Sequence, residues 1–433
     1  MRWKACSLAF LFLCSAHSVA WAAPGAAVEA QTPPAGKPKI AAIVSLYTHN
    51  SHADVIVSRL LQTDTLDGKG RVSPLELASL YVDQKPEKDK SVALAKEFGF
   101  RQSATLEDAL TLGTGKLAVD GVLLVMEHGK YPLSDTGQIA YPKRAMFEKI
   151  VKVFKDSGRV VPVFVDKHLS DNWTDAKWIF DTAKAMKIPL MAGSSLPTTW
   201  RHPAVDVDDK AKLKEVVVVS FHLLDVYGFH AMEIAQTLVE RQERRGIKAV
   251  RCLSGDAVWK AMDDGAFDAK LLEAALDRMP RKIPRGEALR KAVKEPVLFT
   301  MEYRDGLRAH VITLNPVVGE WTAAWRYEER VGKAKDDKAR DDVESTYFWT
   351  LEERPLMHFT WLVNGFEQMV LTGKPAWPAE RTLVTSGALD ALLRSKKDGG
   401  KRIETPELEI RYELDWRWKQ SPPPPKGRPL GEQ

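Results

Sequence analysis

A parallel α/β sheet followed by a mixed α+β half is the fold class this sequence predicts, on three observations. Short apolar, β-branched runs alternate with amphipathic helical patterns from Lys39 to Ala192, the rhythm of strands joined by crossover helices. The run Val160–Val165 carries no charge, as a strand covered on both faces requires. After Pro203 the rhythm changes to strands with hairpin chemistry, such as Val297–Tyr303 and Leu307–Leu314 around Asp305-Gly306.

Each element has a local reason. Lys39–Ser45 is the first strand, and Ser51 opens a helix with Asp54 three residues on as its capping partner. Leu77–Asp83 is a strand, Ser91–Phe98 a helix stopped by Gly99, and Leu106–Leu112 another helix. Val119–Met126 is a strand that runs into the long loop Glu127–Pro142. The helix Arg144–Lys155, the strand Val160–Val165, the helix Trp173–Met186 and the strand Ile188–Ala192 complete this half. In the second half, strands Leu213–Phe221, Lys248–Leu253, Trp321–Glu328 and Ser345–Leu351 join the hairpin. Helices are expected over Gly228–Glu240, Asp256–Arg278, Leu356–Leu371 and Leu383–Ser395, and a solvated loop over Lys333–Asp342. The expected domains are 39–205, Rossmann-like, and 206–418, α+β with a mostly antiparallel sheet.

The ends read differently. Residues 1–22 combine Arg2 and Lys4, the apolar run Ala5–Cys14 and Ala20-Trp21-Ala22, the plan of a secretory signal peptide cut after Ala22. The apolar core is too short to span a bilayer, and no later stretch approaches about 20 apolar residues. Residues 23–38, rich in Ala, Pro and Gly, read as a disordered linker, and 419–433, with four consecutive prolines, as a tail. The expectation is an exported, periplasmic or secreted protein. Cys6 and Cys14 leave with the leader, so Cys252 stands alone and cannot form an intramolecular disulfide. A net charge of +5 over 433 residues is too small and dispersed to argue for nucleic acid.

Candidate chemistry collects where strands end. In an open parallel sheet ligands sit outside the carboxyl ends of the strands. Those ends carry Asp83, then Glu127-His128, then Asp166-Lys167-His168, with Asp225 and His230 around the helix beginning near Gly228. Six of the ten histidines (His49, His52, His128, His168, His222, His230) fall just after expected strands. The segment Ser45–His52 contains no glycine, whereas a dinucleotide fingerprint needs glycines for close backbone approach to a pyrophosphate.

On these residues the chain resembles the glucose–fructose oxidoreductase / inositol dehydrogenase family, weakly, from about Lys39 to Lys401. Asp166-Lys167-His168 matches that family's Glu-Lys-Pro, which supplies a catalytic lysine. His52 matches its early helix histidine and Asp83 its acidic residue after the second strand. Asp225-Val-Tyr-Gly-Phe-His230 matches its Asp-x-x-x-His with one extra residue, and Met191-Ala-Gly-Ser through Arg201-His-Pro203 resembles its approach to the second domain. The resemblance implies an oxidoreductase acting on a small sugar or polyol with NAD or NADP. It implies Ser45, His49, Ser51, His52, Asp83, Glu127, His128 and Asp166 as cofactor-binding. Lys167, His230 and Asp225 would be catalytic. His230 takes the hydroxyl proton as hydride leaves, Lys167 polarises the same oxygen with His168 as a neighbouring cation, and Asp225 orients the pair.

Other readings stay open. Lys167 could be an ion pair with Asp166 or Asp171, His230 a satisfied helix histidine, Asp225 a helix cap and Asp83 a turn residue. A divalent metal held by His49, His52, His128 and His168 would make the chain a hydrolase or lyase on a carbohydrate. However, His49-x-x-His52 lacks the helical i, i+4 spacing. A third reading is a sugar-binding relic of the fold, with Trp200, Trp321 and Trp325 as stacking surfaces or as core. The expected partner is a small carbohydrate, with a homo-oligomer through the open sheet face of the second domain.

Overall fold

The apolar runs of the first half lie side by side and point the same way. The computed structural model describes residues 36–241, 246–329, 342–350 and 354–420. The expected leader and most of the linker and tail lie outside them, as does nearly all of the charged run at 333–342. β1 (Lys39–Val44), β2 (Glu76–Val82), β3 (Arg101–Ser103), β4 (Gly121–Val125), β5 (Val163–Asp166) and β6 (Leu190–Gly193) form a six-stranded parallel sheet, order β3-β2-β1-β4-β5-β6. This is a Rossmann-like sheet, and its winding reverses between β1 and β4, where Val44 pairs with Val125.

The helices α1 (His52–Leu61), α2 (Ser91–Phe98), α3 (Leu106–Thr111), α4 (Lys143–Ser157) and α5 (Trp173–Ala185) flank it. Ala41, Ile43, Val122 and Leu124 face α3, α4 and α5 through Leu110, Phe147, Ile150 and Ile179. Ile40, Ala42, Leu123 and Val125 face the other way, against Val55 and Ile56 of α1. Every residue of β4 is therefore buried, which is why that strand is apolar throughout rather than alternating.

The second half builds β7 (Trp200–His202), β8 (Lys212–Ser220), α6 (Phe229–Val239), β9 (Ile247–Ser254), α7 (Asp256–Asp263), α8 (Ala269–Leu276) and α9 (Gly286–Ala292). β10 (Val297–Tyr303), β11 (Arg308–Thr313), β12 (Trp321–Glu329), β13 (Val343–Trp349), α10 (His358–Thr372), α11 (Glu380–Lys397) and β14 (Ile403–Glu404) follow. Its eight-stranded sheet runs β14-β9-β10-β11-β8-β12-β13-β7 and is antiparallel except between β11 and β8. α10 crosses back to the first sheet, where Phe366 and Leu362 pack with Ile40 and Leu123.

Three expectations change. The helix expected over Asp256–Arg278 is two, because Gly265 takes a left-handed φ of 73° and Asp268 caps the next turn. The short strands β3, β7 and β14 and the helix α9 carry too little periodicity to be read. The sheet face expected to be open is covered: Val217 and Val219 of β8 pack under Leu271, Leu272 and Trp259 of α7 and α8. Its other face holds Val216 and Val218 against α6 and α11, so β8 is covered on both faces. Cys252 is free and buried. No helix among the described residues is long and apolar enough to cross a membrane.

Candidate active site

The carboxyl end of β5 turns sharply. After the buried run Val163–Asp166, Lys167 adopts a left-handed backbone, φ 57°, with its amide donating to Gly193 O at 3.2 Å. Its Nζ stands 3.2 Å from Glu127 Oε2, just past the end of β4. Glu127 Oε1 holds Lys143 Nζ at 2.8 Å, and Lys143 also donates to Asp166 O at 2.9 Å and His168 O at 2.8 Å. Burial alone would raise the Glu127 carboxyl, but Lys143 and Lys167 outweigh it and hold it well below the usual carboxylate range. Lys143 escaped sequence reasoning. Its signal was a cation at the first position of a helix, where the dipole disfavours positive charge.

His230 arrives from the opposite side. A π-helical turn, Leu224–Gly228, leads into α6, whose residues are all buried. Such turns recur at functional sites. His230 Nδ1 meets Ser194 Oγ at 2.6 Å, and that hydroxyl also accepts the Leu196 amide at 3.0 Å. Ser194, directly after β6, is the residue that fixes the imidazole, and its placement one residue past a strand was the available signal. Burial first, then Lys167 and His52, holds His230 well below its ordinary pKa, so the ring is neutral at neutral pH.

Lys167 and His230 line one cavity of about 260 Å³, with His52, His128, His358, Tyr227 and Trp321 among its walls. Tyr227 and Trp321 stack at 5.5 Å with their planes 13° apart. Burial holds His128 and His358 at about 3, so these imidazoles are also neutral. Of the eight non-glycine residues with left-handed backbone among the described residues, four, Asn50, His128, Lys167 and Leu356, belong to this lining. Such strain persists only where the surroundings over-determine it, and it clusters at functional sites. His358 and Tyr227 carried no local sequence signal.

Other candidates sit elsewhere. The Asp225 carboxylate accepts Gln138 Nε2 at 3.2 Å and the Ile139 amide at 3.0 Å. It anchors the β4–α4 loop, and the side chains paired with Lys167 and His230 are Glu127 and Ser194. His168 lies outside the cavity lining, against Phe229 and Tyr141. Burial, reinforced by Lys143, holds it at about 3, so it supplies no positive charge to Lys167. Trp200 and Trp325 are core, only 2% and 0% exposed; of the three tryptophans Trp321 alone reaches the cavity.

The metal alternative fails on geometry. Among the described residues no three His, Cys, Asp or Glu side chains are placed to hold an ion. His49 is two-thirds exposed, with 66% of its side chain in solvent. His52 is taken by Asp166 and His168 is buried apart.

The residues at the dinucleotide position do not fit a nicotinamide dinucleotide in the pose such sheets use. Side chains occupy every position of the β1–α1 turn, and Tyr47 is fully buried there with its hydroxyl 2.7 Å from Ser58 Oγ. The switch point is bridged twice: Ser45 Oγ donates to Glu127 O, and His52 Nδ1 pairs with Asp166 Oδ2 at 2.5 Å. Ser51 is committed as the α1 cap. Asp83, the expected ribose acceptor, receives the Tyr131 hydroxyl at 2.8 Å and that of Tyr81 at 3.2 Å. Gln84 and Lys130 exchange two hydrogen bonds that tie the β4–α4 loop to the end of β2. Of the expected cofactor-binding set, His52 and His128 line the cavity, Ser45, Ser51, Asp83, Glu127 and Asp166 serve structure around it, and His49 is exposed.

No family model matches the chain, and no curated protein matches it. Solved structures do. GenD2 from gentamicin A biosynthesis, in complex with NAD, shares 16% identity at a TM-score of 0.52, covering 88% of this chain and 99% of its own. The scyllo-inositol dehydrogenase of Lactobacillus casei shares 12% at 0.53, covering 85% and 98%. The myo-inositol dehydrogenase of the same organism, in complex with NAD(H) and myo-inositol, shares 13% at 0.51, covering 85% and 96%. At these identities the likeness is one of fold, and it spans both sheets of the chain.

Proposed function

We propose that this chain binds a small polyhydroxylated molecule, a monosaccharide or cyclitol, and moves a proton at one of its hydroxyl groups. The observation that carries this reading is that Lys167 and His230, delivered by different halves of the chain, line the same cavity. The volume, about 260 Å³, lies just below the range of drug-sized pockets. A neutral imidazole offers one donor and one acceptor, as a hydroxyl does. His128 and His358, both held neutral, therefore complement a polyol better than a ring of carboxylates would. Lys167, steadied by Glu127, donates to the reacting oxygen. His230, neutral and fixed by Ser194, exchanges the proton. The stacked Tyr227–Trp321 pair gives an apolar wall for the C–H face of a ring. The inositol dehydrogenases that share the fold support the substrate class.

The test is thermal unfolding against a panel of aldoses, ketoses and cyclitols. A ligand at a hundredfold its Kd stabilises by about 2.7 kcal/mol, which a midpoint shift reads directly. Saturable stabilisation that disappears in Lys167→Met and His230→Ala is the expected result. A panel in which no member shifts the midpoint overturns the reading.

A further inference from the structure

The first turn of α1 is where a sheet of this kind offers backbone amides to a pyrophosphate. In this chain that turn already holds an anion of its own. Asp54, with no side-chain exposure, accepts the Asn50 amide on Oδ2 at 2.9 Å and the Ser58 hydroxyl on Oδ1 at 3.1 Å. Two cations close on it. Lys90 Nζ stands 2.7 Å from Oδ1, and Arg354 Nη1 stands 2.7 Å from Oδ2. Arg354 also donates to Asn50 Oδ1 at 3.0 Å. It precedes α10, so the second half of the chain reaches across the α1 turn to complete the cluster. Lys90 is tied in from the other side, its amide donating to Tyr47 O at 2.8 Å.

We infer that the Asp54 carboxylate stands in for a dinucleotide's pyrophosphate, so that the protein handles its ligand with no nicotinamide dinucleotide resident in this crevice. An incoming pyrophosphate would meet a like charge already paired with Lys90 and Arg354 and bonded to the Asn50 amide. The cations and the amide that a pyrophosphate would need are therefore already taken by Asp54. Burial raises the Asp54 carboxyl, but Lys90, the Asn50 amide and Arg354 outweigh it and leave it below its ordinary value, so it stays ionised at neutral pH. The inference goes beyond the polyol reading and stands independently of it.

The experiment uses the full chain as purified. Wild-type protein should release no nicotinamide dinucleotide on denaturation, and NAD, NADP or inorganic pyrophosphate at millimolar concentration should leave its unfolding midpoint unchanged. Asp54→Ala exposes Lys90 and Arg354 to each other beside the Asn50 amide. Pyrophosphate should raise the midpoint of that variant and of the gentler Asp54→Asn. Wild-type protein that carries a dinucleotide, or that NAD stabilises, overturns the inference whether or not the variants fold. Variants that fold yet ignore pyrophosphate overturn the stand-in role. Polyol stabilisation, measured on the same samples, reports separately on the reading above.

Discussion

Lys143 Nζ lies 2.8 Å from Glu127 Oε1 with both side chains sealed from solvent, and the other oxygen of Glu127 faces Lys167 at 3.2 Å. One buried anion thus serves two cations, one structural and one at the cavity wall. Removing one partner of a buried pair costs about 3–5 kcal/mol because the other is left uncompensated. Lys143→Met and Glu127→Gln should each lower stability on that scale in urea unfolding. The double variant should lose less than the sum of the two. Additive losses would show the pair to be uncoupled.

Lys167 and His230 differ from Lys143 in what their loss should do. Lys167→Met leaves Glu127 paired with Lys143, so circular dichroism should be unchanged while ligand-induced stabilisation vanishes. A variant that keeps full ligand response removes Lys167 from the site.

The tryptophans separate the same way. Trp321→Ala should weaken ligand binding through loss of the wall it forms with Tyr227. Trp325 is fully buried with its indole N–H on Tyr327 at 2.9 Å, so Trp325→Ala should cost about 3–5 kcal/mol of stability. Trp321 is itself only 3% exposed, so both variants lose stability, and an unaltered ligand response in Trp321→Ala would remove it from the site.

Acid should destabilise the protein. His128, His168 and His358 sit at about 3 against an ordinary 6.5, chiefly through burial. Between those values the unfolded chain binds protons that the native chain does not. Stability is therefore greatest above the unfolded value and falls as pH drops, by up to about 1.4 kcal/mol per pH unit for each histidine. Glu233 opposes this: burial raises it to about 7 from an ordinary 4.5, so its contribution is lost as pH rises through that window. Three histidines outweigh one carboxyl. Urea midpoints should fall from pH 7 to pH 5, and a midpoint that climbs on acidification would contradict the assignment.

Export makes a mass prediction. If residues 1–22 are a cleaved leader, protein recovered from outside the cytoplasm of a bacterial host should begin at Ala23. An intact Met1 in that fraction would refute it.

Much of the first sheet was legible because the parallel strands are buried on both faces, and that leaves uninterrupted apolar runs ending in polar residues. Glu127, His128 and Lys167 could be found by that signal. His230 could be found by its place near the start of a helix after a strand. Asp225 enters the catalytic pair only through the family resemblance, and a resemblance cannot reveal that Gln138 and Ile139, from a distant loop, consume its oxygens. Ser194 and Lys143 had faint local signals, and His358 had none, since it is brought to the cavity by a helix more than a hundred residues from the other histidines that line it.

The order of residues determined by itself the alternation of strand and helix, the missing glycines after β1 and the polar strand ends. These are local properties, set by which face of an element each side chain occupies. Packing alone decided that Lys167 and His230 share a cavity, that His128, His230 and His358 in its walls are neutral, and that Asp54 is clasped by Lys90 and Arg354. Those outcomes depend on desolvation and on charges a few ångströms away that belong to remote segments, and no local pattern encodes them.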